Sequence, residues 1–234
     1  MKIIPMLFST PMVKAILSNN KSMTRRTKCL DVINEDQDNW LCSGKLLSDG
    51  LIEFSSEQHH TDSFIKCPYG QPGDVLWVRE SFTDWKDIIL HKAQIFNTSN
   101  WFDLDGKRIP YETLSWKPSI HMPFDVCRIF LRVKEIRVER LQHISKDEAS
   151  KEGIFSWLLF VRKYEFRKYH ESLQSSNSPS AEYEVRLFSR MWDSINEFNS
   201  WNSNPWVWVI SFERITDQSE IAAIRKQWNE RRQK

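Results

Sequence analysis

The run Arg128–Arg140 constrains this chain more than any other stretch. Ile129, Leu131 and Val133 share one parity, whereas Ile136 and Val138 share the other. A strand with one buried face alternates with period two, so the pattern slips by one residue near Lys134 and Glu135. Such a slip predicts a β-bulge, which bends a strand in the way that closing a small barrel requires. Trp206–Ile215 is almost continuously apolar and predicts a second strand buried on both faces. Strands and helices alternate without strict βαβ order, which argues against a parallel doubly wound sheet. The expected class is α+β: a small mixed β-barrel with flanking helices and long insertions.

Local signals place the helices. After the apolar run through Phe8, Ser9 offers an N-cap and Pro11 a first-turn proline. Met12, Val13, Ile16 and Leu17 then form one stripe, and Asn19-Asn20 can end the helix. Ser145 and Glu148 have capping-box spacing, Ile144 and Ala149 form a staple, and Gly153 stops this second short helix. The cluster Pro68–Asp74 is a turn feeding the strand Val75–Glu80. From about Asp217 a basic amphipathic helix carries Ile221, Ile224 and Trp228 on one side. It reads as a surface helix or as a contact for nucleic acid or a partner. The expected organisation is one domain over 1–215 with insertions near 31–66, 83–118 and 155–190, followed by that helix over 216–234. The first insertion reads as a weakly ordered excursion with short strands around Lys45–Leu47 and Leu51–Phe54. The third contains a polar spacer, Gln174–Ser180.

Composition narrows the function. The 234 residues are 40% hydrophobic and 27% charged, enough for a sizeable core under a polar surface. No apolar run approaches the roughly 20 residues of a membrane helix, and no signal-like segment opens the chain. The expectation is no membrane association and a reducing cytoplasm. With six glycines there is no G-x-G-x-x-G and no P-loop motif, which removes dinucleotide folds and P-loop NTPases. Four cysteines include no C-x-x-C pair. A zinc site from Cys29, Cys42, His59 or His60, and Cys67 can be drawn, but its spacings match no familiar knuckle. Reduced thiols are expected, and no metal or other cofactor is implied. The net charge is only +2, yet the first thirty residues carry six Lys/Arg and no Asp/Glu, a local basic surface.

Several blocks carry a resemblance. Phe8–Val13 with Thr24-Arg25-Arg26, Cys67–Gly70, Pro72-Gly73-Asp74, Trp77–Glu80 and Trp116–Pro123 are similar to ASCH-domain proteins of phages and prophages. So are Arg137–Leu141, Trp192–Asn196 and Asn204–Ile210. The likeness spans about residues 6–215. It implies the PUA-like fold, a small β-barrel with flanking helices, and recognition of RNA, a nucleoside or a nucleotide. Some small members hydrolyse the acetyl amide of N4-acetylcytidine with a Lys-x-x-Thr element and a Glu. Lys21-Ser22-Met23-Thr24 matches the first and Glu152 falls where the second belongs. Asn19 stands where a glycine is usual, and the chain is more than twice as long as those enzymes.

The chemistry can also be argued from the residue types. Amide hydrolysis needs a nucleophile, a base and an acid for the leaving amine. Thr24 is a weak nucleophile that needs a base. Lys21 can serve if desolvation or a neighbouring cation, Arg25 or Arg26, lowers its pKa. The same residues can instead contact phosphate or a base without catalysis, or form a solvated basic loop. Glu152 opposes the macrodipole at a helix end, a cost of roughly 0.3–1 kcal/mol that fits either a site role or a tolerated surface carboxylate. Glu80 is the competing carboxylate. Trp77 and Trp116 are the first choices for stacking a base, and His121 reads as a partly buried histidine or a further ligand contact. A host-binding adaptor, with the barrel as scaffold, is the third functional class.

Overall fold

The computed structural model describes residues 1–85, 88–94, 114–160, 183–196 and 199–232. β1 (Ile3–Leu7) leads into α1 (Thr10–Leu17), with Ser9 at the N-cap and Pro11 in the first turn. Asn19 ends it at φ +59°, the left-handed region Asn tolerates, and the chain returns as β2 (Met23–Arg26). The first insertion is better ordered than its composition predicts. It holds α2 (Asp31–Glu35) and an antiparallel sheet of β3 (Leu41–Cys42), β4 (Leu51–Ser56) and β5 (Thr61–Lys66). Alternation along β4 drives Ile52 and Phe54 fully into the main core, and that burial organises the segment. The strand expected at Lys45–Leu47 reduces to one bridge, Lys45 with Arg137.

β6 (Val75–Arg79) follows the predicted turn, closed by Asp74, whose carboxylate accepts from Lys2 N–H at 2.6 Å and Gln71 N–H at 3.0 Å. β7 (Phe82–Trp85) and β8 (Ile88–His91) pair antiparallel within the second insertion. The remainder of that insertion up to residue 113, and the spacer Gln174–Ser180, lie outside the described residues. The chain continues with β9 (Phe130–Arg140), α3 (Lys146–Lys151), α4 (Ile154–Phe160), α5 (Tyr183–Ile195), β10 (Trp206–Ile215) and α6 (Gln218–Arg232).

The principal sheet has the order β1-β6-β9-β10-β2, with β1 and β6 parallel and the other pairs antiparallel. Glu135 faces Ser211 while Val133 faces Phe212, so Lys134 is the extra residue of a bulge at the predicted position. The bulge keeps Leu131, Val133, Ile136 and Val138 in the same core despite their mixed parity.

The architecture is α+β with an open five-stranded sheet. Among the described residues no backbone ladder joins its edges, β1 and β2, so the expected barrel closure is not made. Both edges are short, and α1 departs directly from the end of β1. A side chain spans the gap instead: Arg26 Nη2 donates to the Leu7 carbonyl at 2.8 Å.

One face of the sheet carries the main core, including Leu76, Val78, Val138 and Trp208. The other carries Ile3, Val75, Trp77 and Phe130, covered by α6 through Ile224 and Trp228. Trp228 stacks on Phe124 with centroids 4.3 Å apart. The basic side chains of α6 are partly used at home. Arg225 donates to the Asp125 and Cys127 carbonyls, and Arg231 to that of Met1. Among the described residues no helix is long and apolar enough to cross a membrane.

Candidate functional site

A cavity of about 240 Å³ opens where the sheet fails to close. Its walls come from the start of α1, from Lys21 and β2, from Glu152 and from α5. Two local devices bring these parts together. The left-handed Asn19 turns the chain so that Lys21 runs antiparallel to the end of α3, pairing with Glu152 as an isolated bridge, and Ser22 N–H donates to the Lys151 carbonyl at 3.0 Å. The capping box fixes the start of α3, with Glu148 N–H on Ser145 Oγ and Ser145 N–H on the Glu148 carboxylate. Gly153 then turns at φ +83°, where a Cβ would lie 2.9 Å from Ala15 Cβ and 3.2 Å from Lys21 Cβ. Only glycine lets α3 end this close to Lys21.

Lys21 Nζ donates to Glu152 Oε2 at 2.9 Å and to the Glu152 carbonyl at 2.8 Å, with both side chains almost fully buried. The second oxygen, Oε1, accepts from Arg25 Nη1 at 3.1 Å. Arg25, with no exposed side-chain surface, also reaches Glu139 at 2.6 Å and Glu148 at 2.9 Å, and Arg137 pairs with the same two carboxylates. Three cations and three carboxylates thus form one balanced network behind the cavity. Burying Lys21, Arg25 and Glu152 together does not serve stability as well as apolar packing of the same volume would.

Burial pushes the Lys21 ammonium below its ordinary value; Glu152 opposes the shift, and Arg26 and Arg25 add to it. For Glu148, burial alone pushes the carboxyl up. The Ser145 N–H and the two arginines outweigh this and hold it below the ordinary value. Thr24 is buried in the cavity lining, and among the described residues no hydrogen bond engages its hydroxyl. Tyr69 also lines the cavity. Burial pushes its phenol up to about 12 against the opposing pull of Arg26, so near neutral pH it is a protonated donor.

Lys21, Thr24, Arg25, Arg26 and Glu152 therefore share one cavity. The other candidates do not line it. Trp77 is spent on packing, edge-on to Phe124 at 5.4 Å and to Trp228 at 6.1 Å on the far face of the sheet. Glu80 is buried and clamped by Arg128, Nε to Oε1 at 2.8 Å and Nη2 to Oε2 at 2.9 Å. Trp116 is half-buried under Lys92, whose Nζ is 5.9 Å from the ring. His121 is exposed on a 3₁₀ turn rather than partly buried. The aromatic residues that do line the cavity are Phe8, Tyr69, Phe188 and Trp192. Sequence reasoning assigned no role to Tyr69, Glu139, Glu148 or Trp192. All but Glu148 lie in blocks that carry the ASCH resemblance, and Glu148 was visible only as a capping residue.

Of the drawn zinc ligands, His59 pairs with Asp36 at 2.8 Å and stacks on Trp40. Among the described residues no group of three or more His, Cys, Asp or Glu is placed to hold a metal ion. No protein-family model matches the chain, and neither the curated proteins nor the solved structures contain a match.

Proposed function

We propose that this chain is an ASCH-type protein, its open sheet a variant of the PUA-like barrel, and that it binds RNA or a modified nucleoside in the cavity between β1, β2 and α5. The observation that carries this reading is the buried Lys21–Glu152 pair, which unites residues 131 positions apart in the cavity that Thr24 also lines. At about 240 Å³ the cavity lies just below the size range of drug-sized ligand pockets, suited to a nucleobase rather than a folded RNA element. Aromatic walls with a few convergent polar groups match how unstacked bases are held. The four cysteines are unpaired, in keeping with a reducing compartment. The test is calorimetric titration with N4-acetylcytidine, with Lys21→Met and Phe8→Ala as controls. Binding lost in both variants supports the reading; absence of binding of the unaltered protein both to this nucleoside and to a single-stranded RNA carrying it refutes the reading.

A second reading, hydrolysis of N4-acetylcytidine, is favoured by the lowered pKa of Lys21 in the cavity that Thr24 also lines. Thr24 Oγ1 attacks the acetyl carbonyl while the neutral Lys21 amine takes its proton. The C–N bond breaks, the proton passes to N4, and cytidine leaves. Water then cleaves the acetyl-threonine ester, releasing acetate. Glu152 orients Lys21 through the 2.9 Å contact. Chromatographic release of cytidine, abolished by Thr24→Val, is the expected result; tight binding without release leaves the protein a binder only.

A further inference from the structure

The fully buried side-chain polar atoms around the cavity that lack partners are all donors. Arg25 Nε, Arg26 Nε and Trp192 Nε1 are buried in its lining without an acceptor among the described residues. Both oxygens of Glu152, the one carboxylate in the lining, are already taken by Lys21 and Arg25. An occupant that reaches these groups gains by bringing acceptors, because a buried donor without a partner costs about 1–3 kcal/mol.

Charge accounting points the same way. Lys21, Arg25 and Arg137 are balanced by Glu139, Glu148 and Glu152. Arg26 and Lys28 also line the cavity, and among the described residues neither has a carboxylate partner. Arg26 lies over the Phe8 ring, 5.3 Å from its centroid, with one amino group on the Leu7 carbonyl, while Lys28 is exposed. The start of α1 adds to this field. Ser9, its N-cap residue, lines the cavity yet makes no side-chain cap, so the first-turn N–H groups of Thr10 and Met12, Pro11 having none, are left without a side-chain acceptor.

Resting on the binding reading above, we infer that the site takes a phosphorylated ligand, a nucleotide or a nucleotide within RNA, in preference to the free nucleoside. The acceptor edge of the base meets the interior donors, and the phosphate sits at the mouth against Arg26, Lys28 and the start of α1. A planar guanidinium and an ammonium, with uncapped backbone N–H groups, suit phosphate oxygens.

The experiment compares N4-acetylcytidine, its 5′-monophosphate and a short single-stranded RNA carrying the same base, by rapid-mixing tryptophan fluorescence. The expected result is that one or both phosphorylated ligands bind about tenfold or more tightly than the nucleoside, and that added salt narrows the gap. Preference for the monophosphate identifies a terminal phosphate as the group recognised; preference for the RNA alone identifies the diester. Lys28→Gln is expected to shrink the preference severalfold while leaving nucleoside binding closer to its original value, and Arg26→Gln to shrink it while weakening all three ligands, since Arg26 also lines the interior. Equal binding of all three ligands, or a preference unmoved by both substitutions, overturns this inference and leaves the binding reading standing. If none of the three binds, the binding reading fails and this inference with it.

Discussion

Glu152→Gln isolates the energetics of the buried pair. Arg25 keeps Glu139 and Glu148 after the change, so its charge stays compensated. Lys21 loses its one carboxylate and keeps the backbone carbonyl of residue 152 and, at most, a neutral amide oxygen. Breaking one side of a buried pair costs about 3–5 kcal/mol, and the lysine sets a ceiling because it can escape by losing its proton. Measured from its ordinary value of 10.5, and at 1.36 kcal/mol per pH unit, that escape costs about 5 kcal/mol at pH 7 and about 1 kcal/mol at pH 9.5. The sign follows from linkage. The folded-state pKa is lowered, so between it and 10.5 the unfolded chain binds more protons, and stability rises with pH. Losing Glu152 lowers the folded-state pKa further and widens that window. Urea unfolding followed by tryptophan fluorescence should show a loss of about 3–5 kcal/mol at pH 7 that falls to about 1 kcal/mol at pH 9.5. A loss below about 1 kcal/mol at pH 7, or one equal at both pH values, refutes the claim that a buried lysine charge is what Glu152 compensates.

Turnover of N4-acetylcytidine should rise with pH through a pKa below 10.5, and Arg26→Gln, by removing a cation that lowers the Lys21 pKa, should move that limb to higher pH; a shift to lower pH refutes the assignment. Gly153→Ala is expected to cost more than the roughly 1–2 kcal/mol of a left-handed non-glycine residue, because its Cβ meets Ala15 and Lys21. Gly73→Ala, also at positive φ but with nothing within 4 Å, should cost only the backbone penalty, and thermal melts of the pair measure the difference. Ser145→Ala should cost about 1 kcal/mol as a lost cap. Glu148→Gln should cost about 2–3 kcal/mol in denaturant titrations, since it also strips a carboxylate from Arg25 and Arg137.

The local devices were legible because each is written in contiguous residues. The bulge at Lys134 shows as a parity slip, the α3 cap as Ser145 with Glu148, and the end of α1 as Asn19. Lys21, Thr24 and Glu152 were legible as candidates through the ASCH likeness. Trp77 was misread for a physical reason: a tryptophan that packs a core and one that stacks a ligand have the same local pattern. What separates them is what covers the ring, here Phe124 and Trp228 from distant segments. The first insertion was misread because its order comes from Ile52 and Phe54 reaching the main core, a long-range contact with no local signature.

By itself, then, the amino-acid order determined where the chain bends, caps and alternates, since propensity, capping and pleat periodicity act over a few neighbours. Tertiary structure alone decided that the sheet stays open, that the opening becomes the cavity, and which charges meet behind it. Arg25 is adjacent in sequence to Thr24 and Arg26, yet its carboxylates lie 114 to 127 positions away. Whether such a charge is compensated depends on separation in space, and only the folded chain sets that.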